Sequence, residues 1–247
     1  CGSKKAAVVT DKKVITVGAS PIPHKEILEV VKPLLAKEGY TLKIVEFTDY
    51  VTPNTALAEK QLDANFFQHV PYLTEFSKEK GLDLTWTVKV HIEPMALYSN
   101  KYKKLSDIKN GASIAIPNDP SNGARALRVL EKAGLLKLKT GDLISKLDIT
   151  SNPKNLKITE LDAPQLPRIL KDMDAAVINS NYAIEAKLKL TDALAVEAKD
   201  SPYANVLAVR KEDKDKPYIK ALSKALTSLE VKKFILEKYK GAVIPAF

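Results

Sequence analysis

Residues 116–125 carry the groups best suited to binding a small anion. A short apolar strand leads into a turn rich in Asn, Asp and Pro, and a helix is predicted to follow, capped by Ser121 or Asn122. The free N–H groups of a helix start attract anions, and Arg125 can hold a carboxylate through two hydrogen bonds. The phosphate-loop pattern Gly-x-x-x-x-Gly-Lys-Ser/Thr is absent. The motif therefore favours a carboxylate over a nucleotide, although Arg125 paired with a neighbouring acid fits equally well.

Residues 62–73 form a second stretch with unusual chemistry, because it combines two phenylalanines, a histidine and a tyrosine. Phe66, Phe67, His69 and Tyr72 could line a pocket for a small, apolar and polarisable group. Side chains alternate in an extended segment, so Phe67 is predicted to face the same side as His69, and Phe66 the other. Pro71 is compatible with a helix start just after His69. The alternative is an aromatic strand end packed under a loop, with His69 bonded to a backbone carbonyl.

Amides recur where predicted strands begin or end. Asn179 follows a buried strand, and Asn205 begins another. A buried amide is costly unless its side chain bonds a turn or a ligand, and each residue taken alone favours the turn. Tyr50 lies in a polar turn after a strand, at the edge where open α/β sheets place their ligands.

Groups for catalysis or metal binding are scarce in the sequence. Glu93 and Asp119 are isolated acids, and the Gly-x-Ser-x-Gly, HExxH and CxxC motifs are absent. The three histidines stand far apart, so a metal site would need them to meet in the tertiary structure. His24 is expected to be a solvated residue near a helix start. No catalytic residue, metal or cofactor is predicted.

Strands are predicted at residues 14–17, 42–47, 84–90, 113–116, 158–161, 175–178 and 205–209, with helical patterns between most of them. Such alternation is typical of α/β proteins with parallel sheets. Two series of this kind, joined near residue 98 and with a return near residue 205, predict two lobes and a cleft between them. The expected divisions are a tether at 1–12, a first lobe at 13–97 plus 206–247, and a second lobe at 98–205.

The composition is that of an ordinary globular chain. Of 247 residues, 45% are hydrophobic and 28% are charged, which argues against general disorder. The net charge of +9 comes mostly from Lys. These lysines are spread over helix faces and turns without interleaved aromatic residues, so nucleic-acid binding is not expected.

The single cysteine is residue 1, followed by Gly-Ser. One cysteine excludes a disulfide framework and any cysteine-based metal site. A first-residue Cys before a short polar segment is typical of a bacterial lipoprotein after signal-peptide cleavage, with acyl chains on Cys1 as the membrane anchor. The alternative is that Cys1 stands first by accident of how the chain was made.

Five motifs together resemble the NlpA-type methionine-binding lipoproteins, which are the substrate-binding components of methionine ABC importers. They are Asp63-Ala-Asn-Phe-Phe-Gln-His69-Val-Pro-Tyr-Leu73, Glu93-Pro-Met-Ala-Leu-Tyr-Ser99, Pro117-Asn-Asp-Pro-Ser-Asn-Gly-Ala-Arg125-Ala-Leu127, Ala176-Val-Ile-Asn179 and Ser201-Pro-Tyr-Ala-Asn205. The likeness runs from about residue 13 to the C-terminus, in the family's order. It implies a two-lobed periplasmic-binding-protein fold, type II-like, in which each lobe is a mostly parallel sheet flanked by helices and the ligand cleft lies between the lobes.

The resemblance also implies roles for particular residues. Arg125 would hold the carboxylate of L-methionine, and Asn179 and Asn205 would bind its ammonium and carboxylate groups. An aromatic box would enclose the thioether, whose sulfur contacts ring edges favourably. Its members would be Tyr50, Phe67, His69 and Tyr72. Weaker candidates are Phe66, Met95 and Asn122. Asn181 and Ala204 occupy variable positions and are assigned no ligand role, and the motifs leave D-methionine or a methionine-containing dipeptide open.

The resemblance further implies a monomeric, extracytoplasmic protein, anchored to the membrane by lipid on Cys1, that delivers its ligand to the permease and ATPase subunits of an ABC importer. Two other classes stay open at this point. One is an enzyme that acts on a small amino acid in the same cleft, with Glu93 or His69 as acid or base. The other is a surface adhesin lipoprotein whose cleft has lost its function.

Overall fold

The computed structural model describes residues 12–247, so the predicted lipid-attachment residue Cys1 lies outside the described residues. Strands alternate with helices as predicted. The strands are β1 (Val14–Ala19), β2 (Thr41–Glu46), β3 (Ala64–His69), β4 (Leu84–Ile92), β5 (Ala96–Tyr98), β6 (Ser113–Pro117), β7 (Lys137–Leu138), β8 (Ile149–Ser151), β9 (Lys157–Leu161), β10 (Ala175–Ile178), β11 (Ala195–Val196), β12 (Ala204–Arg210) and β13 (Ile244–Pro245). The α-helices are α1 (Glu26–Lys37), α2 (Thr52–Ala58), α3 (Val70–Lys80), α4 (Pro120–Lys132), α5 (Leu166–Ile169), α6 (Ser180–Glu185), α7 (Pro217–Leu226) and α8 (Leu229–Tyr239).

The strands form two main sheets, one in each lobe. The first has the order β13-β4-β12-β3-β1-β2, and the second has the order β11-β5-β10-β6-β9. Both sheets are mixed and not mostly parallel: β1 pairs parallel with β2 and β3, and β6 with β9 and β10, while β12 runs antiparallel to β3 and β4, and β5 to β10 and β11. The antiparallel strands adjoin the two points where the chain crosses between lobes, and the sequence pattern contains no signal of that direction.

The chain crosses from the first sheet to the second at residues 93–95 and returns at residues 197–203. Strand β5 therefore belongs to the second lobe, and β12 to the first. The expected divisions after residues 97 and 205 each fall inside one of these strands. Each strand belongs to one sheet along its whole length, so the boundaries between the lobes precede β5 and β12. Both boundaries therefore lie a few residues nearer the N-terminus than expected.

Each lobe has its own apolar core. In the first lobe, helices α1, α7 and α8 pack against the sheet around Ile15, Val17, Leu28 and Ile219, all 0% exposed. Pro33 lies inside α1 on its exposed face. In the second lobe, Leu97, Ile114 and Leu127 are likewise fully buried. Within residues 12–247, no helix is both long enough and apolar enough to cross a bilayer.

The starts of α3 and α4 place the two motifs of the sequence at the cleft. Helix α3 begins directly after β3, and the Nδ1 of His69 accepts a hydrogen bond from the N–H of Tyr72. Helix α4 begins after β6, but its cap is Asp119, whose carboxylate accepts from the N–H of Asn122. The predicted caps, Ser121 and Asn122, are therefore wrong by two or three positions. Asp119 itself occupies the helix start that was expected to attract an external anion.

Candidate functional site

A small cavity lies where the two lobes meet. Its lining residues come from both lobes and from the first crossing segment: Tyr50, Phe67, Gln68, His69, Tyr72, Glu93, Asn122, Arg125, Asn179, Ser180, Asn181 and Asn205. The structure thus brings together all seven principal candidates from the sequence, and Asn122 with them. The free space is about 20 Å³, which is room for about one water molecule.

The first lobe contributes an aromatic wall, which consists of Tyr50, Phe67 and Tyr72. Their ring centroids lie 5.8 to 6.0 Å apart, and the Tyr50–Tyr72 and Phe67–Tyr72 pairs meet edge to face. Offset and edge-to-face arrangements are the favourable ones for aromatic pairs. The three rings come from the loop after β2, from β3 and from α3, so adjacent strands and the helix start bring them together.

The alternation predicted for β3 is confirmed. Phe67 lines the cavity, whereas Phe66 is fully buried in the core of the first lobe, where its ring contacts those of His24 and His91. The weaker candidate Phe66 therefore does not reach the cavity. Met95 does not reach it either, because its side chain packs in the core of the second lobe beside Leu97.

His69 joins the aromatic wall to the second lobe. Its Nδ1 accepts from the N–H of Tyr72, and its Nε2 lies 2.9 Å from the Oδ1 of Asn122. The Nε2 therefore carries the hydrogen and donates a hydrogen bond to Asn122. Burial, followed by the charge of Arg125, lowers the pKa of His69 to about 3. The alternative interpretation, in which His69 bonds a backbone carbonyl, is therefore wrong, and neither ring nitrogen is left free to act on a substrate.

Further polar side chains form a polar wall, which consists of Glu93, Asn122, Arg125, Asn179 and Asn205 and draws on the second lobe, the first crossing segment and β12 of the first lobe. Arg125 donates from Nε and Nη2 to the two carboxylate oxygens of Glu197, at 2.8 and 2.5 Å, and from Nη2 to the carbonyl of Glu93 at 2.7 Å. The ring of Tyr203 lies 4.3 Å from its Cζ. Arg125 does pair with an acid, as the alternative interpretation required, and it also lines the cavity.

The two principal asparagines differ in how their amides are used. The Nδ2 of Asn179 donates to the Oδ1 of Asn122 at 3.0 Å, while its Oδ1 is buried and has no hydrogen-bond partner among the described residues. The Oδ1 of Asn205 accepts from the Nε2 of His24 at 2.9 Å. An unpaired buried acceptor is uncommon, and this one belongs to a residue that lines the cavity.

His24 is buried, so its expected position in solvent is wrong; it is only 1% exposed. It lies with His91 behind Glu93 of the polar wall, where Oε1 of Glu93 is 2.7 Å from the Nε2 of His91 and 3.2 Å from that of His24. Burial lowers the pKa of His24 to about 4 and that of His91 to about 3, and burial raises the pKa of Glu93.

These three side chains form the one cluster in the described residues that is spaced to hold a metal ion, with donor atoms within 4.8 Å of one another. The sequence left such a meeting to tertiary contacts, and the fold supplies it. Oε1 of Glu93 already accepts a hydrogen bond from the Nε2 of His91 and contacts the Nε2 of His24, while the Nδ1 atoms of both histidines have no hydrogen-bond partner among the described residues. These contacts hold the side chains of Glu93 and Asn205 in place, which is a structural role for the cluster that needs no metal ion.

Gln68, Ser180 and Asn181 also line the cavity, although no ligand role was predicted for them. The hydroxyl of Tyr50 donates to the Oδ1 of Asn181 at 2.5 Å, and that of Tyr182 to the carbonyl of Thr48 at 3.0 Å, so both bonds join the lobes. A signal for Asn181 was present, because it stands next to Asn179 after a buried strand. Its contact with Tyr50, 131 positions away, was not readable from that pattern.

Two α/β lobes joined by two crossing segments, with a cavity between them lined by a guanidinium group, amides and aromatic rings, define a solute-binding protein of the periplasmic type. The chain belongs to the NlpA lipoprotein family, whose sequence model matches residues 15–247.

Relatives support this family assignment along nearly the whole chain. The methionine-binding lipoprotein MetQ of Bacillus subtilis is 46% identical over 99% of this chain and 92% of its own length. The membrane lipoprotein TpN32 of Treponema pallidum is 43% identical over 94% and 88%, respectively. A nutrient-binding protein of Burkholderia cenocepacia, solved bound to methionine, superposes with a TM-score of 0.92 at 49% identity, covering 94% of this chain and 100% of its own.

Proposed function

We propose that this protein is a lipid-anchored, extracytoplasmic receptor that binds methionine and delivers it to an ABC importer. The observation that carries the proposal is the unpaired, buried Oδ1 of Asn179 in a cavity that also contains Arg125. The ammonium group of an amino acid would donate to that oxygen, and its carboxylate would accept from Arg125. Asn205 and Asn122 complete the surroundings of this head group.

The aromatic wall supports an apolar and polarisable side chain on the ligand. Tyr50, Phe67 and Tyr72 present ring edges and faces around one space, and a thioether sulfur interacts favourably with aromatic rings. Relatives named for methionine binding, and the methionine-bound neighbour, agree with this choice. Several relatives are named for D-methionine, so both enantiomers are candidate ligands.

Binding requires the lobes to separate, because the free space of about 20 Å³ is far smaller than an amino acid. The hydrogen bonds from Tyr50 to Asn181 and from Tyr182 to Thr48 would break on opening and form again on closure. Such hinge closure buries the ligand between the lobes. The closed lobes would then be the form that docks on the permease and ATPase subunits.

The test is isothermal titration of the protein with L-methionine, D-methionine and norleucine, after unfolding and refolding to remove any ligand carried through purification. We expect saturable one-to-one binding of at least one methionine enantiomer and weaker binding of norleucine, which lacks the sulfur. Failure of both enantiomers to bind would overturn the proposal. Incubation with methionine followed by mass spectrometry tests the enzyme alternative, because a new product would require turnover. A pull-down on host and cell-wall components tests the adhesin alternative.

The membrane part of the proposal has its own test. Expression with a lipoprotein signal peptide should place the protein in the membrane fraction, and Cys1→Ser should release it. We expect methionine affinity to be equal in the two forms, because Cys1 is not among the proposed ligand-binding residues. A Cys1→Ser variant that stays in the membrane fraction would contradict anchoring through this residue.

A further inference from the structure

Glu197 is the partner of Arg125, although no sequence motif indicated it. It lies directly after β11, at the start of the segment that returns the chain to the first lobe. Its side chain is 10% exposed and that of Arg125 is 3% exposed, so the pair is almost dry. Both carboxylate oxygens bind the guanidinium group, from Nε and Nη2. A two-point contact of this kind fixes both the position and the plane of the guanidinium.

Glu197 contacts Arg125 from the side that faces away from the interlobe cavity. Arg125 lines both the interlobe cavity and a separate open groove of about 1080 Å³, whereas Glu197 lines only the groove. The carboxylate therefore approaches from behind the guanidinium as seen from the cavity. The carbonyl of Glu93 takes the second hydrogen of Nη2, and no hydrogen bond from Nη1 is present among the described residues. The Nη1 edge is the part of Arg125 left for a ligand.

Glu197 is itself held at the hinge. Its backbone N–H donates to the carbonyl of Met95 at 2.8 Å, and its Oε2 accepts from the N–H of Met95 at 3.2 Å. Met95 lies on the other crossing segment, so the two crossing segments bond each other through Glu197. The ring of Tyr203, from the same returning segment, covers one face of the guanidinium. Arg125 is thus fixed by the hinge and not by closure of the lobes.

We infer that Glu197 is a positioning residue: it orients the Arg125 guanidinium so that Nη1 meets the carboxylate of the ligand, without touching the ligand itself. The inference rests on the proposed function, because it concerns the same cavity. The pairing of Glu197 with Arg125 also balances the charges in the site. Arg125 and Glu197 together are neutral, and a zwitterionic amino acid is neutral as well, so binding would add no net buried charge.

The experiment measures methionine and methioninamide binding to the parent protein and to Glu197→Gln. Glutamine keeps the size of the side chain but presents an amide N–H₂ to a group that only donates. We expect the affinity for methionine to fall about tenfold, and that for methioninamide, which has no carboxylate, to fall less than about threefold. A role in folding alone would lower both affinities equally, and that result would overturn the inference. If Glu197 instead competed with the ligand carboxylate for Arg125, Glu197→Gln would bind methionine more tightly. That result would also overturn the inference.

A matched control is available in the first lobe, where Arg210 and Asp213 form another buried pair with a 2.6 Å contact far from the cavity. Asp213→Asn should lower the thermal unfolding temperature as Glu197→Gln does but leave both affinities unchanged. If Glu197→Gln does not fold, Glu197→Asp keeps the charge on a shorter side chain, and the same selective loss is expected, since one of the two contacts must lengthen. If the parent protein binds no methionine, the proposed function fails. Normal binding by the parent with an unselective variant rejects only the role of Glu197.

Discussion

The aromatic wall and the polar wall of the cavity are held together by different kinds of interaction. The three rings of the aromatic wall contact one another at centroid distances of 5.8 to 6.0 Å, and the hydrogen bond that joins two of these residues runs from the Tyr72 hydroxyl to the backbone carbonyl of Tyr50. In the polar wall, Arg125, Asn122 and Asn179 are positioned by directional bonds of 2.5 to 3.0 Å. Loss of one ring contact removes a fraction of a favourable area, whereas loss of one polar partner leaves a buried group unsatisfied.

This difference predicts that the two walls recognise different parts of the ligand. The polar wall would recognise the head group that all amino acids share, and it would tolerate little change. The aromatic wall would select the side chain, and its adjustable contacts would respond gradually to substitution. Substitutions in the polar wall should therefore have larger effects on affinity than substitutions in the aromatic wall, and the predictions below test that order.

The largest effect is expected from Arg125→Lys. Lysine keeps the charge, but a single ammonium group cannot bind Glu197, the Glu93 carbonyl and a ligand carboxylate with the fixed geometry of a guanidinium. We expect methionine affinity, measured by titration calorimetry, to fall at least about 100-fold, or about 3 kcal/mol. The matched control is Arg210→Lys, which changes the other buried arginine and should leave affinity intact. Normal binding by Arg125→Lys would remove Arg125 from the site.

Acid should weaken the support of the polar wall while leaving the aromatic wall uncharged. His24, His69 and His91 have pKa values of about 4, 3 and 3 in the folded protein, against about 6.5 when unfolded. Because the folded pKa is depressed, the stability contribution of each histidine is present above pH 6.5 and is lost as the pH falls toward 4. The raised pKa values of Glu93 and Asp119 act in the opposite direction, because as the pH falls these acids take up a proton in the folded protein before they do so in the unfolded chain.

The expected loss is about 1–2 kcal/mol per histidine by pH 5, before that offset. Urea unfolding at pH 7.5, 6 and 5 measures it directly. His91→Gln, which keeps a donor toward Glu93, should show a shallower pH dependence than the parent. Burial also raises the pKa of Tyr50 well above its usual value, so the aromatic wall does not titrate over this range. Equal slopes for parent and variant would rule out His91 as a source of the acid sensitivity.

An intermediate effect is expected from Asn179→Ala. The substitution removes the one buried amide oxygen of the polar wall that has no partner in the described chain, together with the donor to Asn122. We expect a loss of about 1–2 kcal/mol in methionine binding, or roughly 5- to 30-fold. The loss should shrink for an analogue of methionine without the amino group. Asn118→Ala, at an exposed amide that bonds Asp162, is the control. Equal losses for both ligands would mean that Asn179 does not bind the ammonium group.

How far the sequence could go differs between the two walls. Period-two alternation identified Phe67 and His69, because a β-strand fixes the side of each residue locally. The polar wall depends on partners far apart in the chain. Glu197 lies 72 positions from Arg125, and His24 lies 181 from Asn205. No local pattern encodes such pairs, so the sequence could identify Arg125 without its partner, and it placed His24 in solvent.

A similar limit applies at the start of α4 and at the lobe boundaries. Asp119, Ser121 and Asn122 are all good caps by residue type, and only the backbone geometry decides that Asp119 serves. The two crossing segments look like ordinary extended residues until the sheets that they join are known. Residue types could therefore predict the lobes and most of the cavity lining, whereas the bonds that orient this lining come from the tertiary structure.

The smallest effect on affinity is expected in the aromatic wall, where adjacent phenylalanines give an internal comparison. Phe67→Leu should weaken methionine binding by about 1 kcal/mol, or about fivefold, because Tyr50 and Tyr72 remain to contact the thioether. It should also reduce the preference for methionine over norleucine, since part of that preference comes from sulfur–ring contacts.

Phe66→Leu removes the same atoms one position earlier, in the core against His24 and His91. That variant should lose about 1–3 kcal/mol of folding stability with little change in affinity. Unfolding midpoints and titrations on the two variants separate the roles, and a Phe66→Leu that loses affinity while Phe67→Leu does not would reverse the assignment of the two faces of β3.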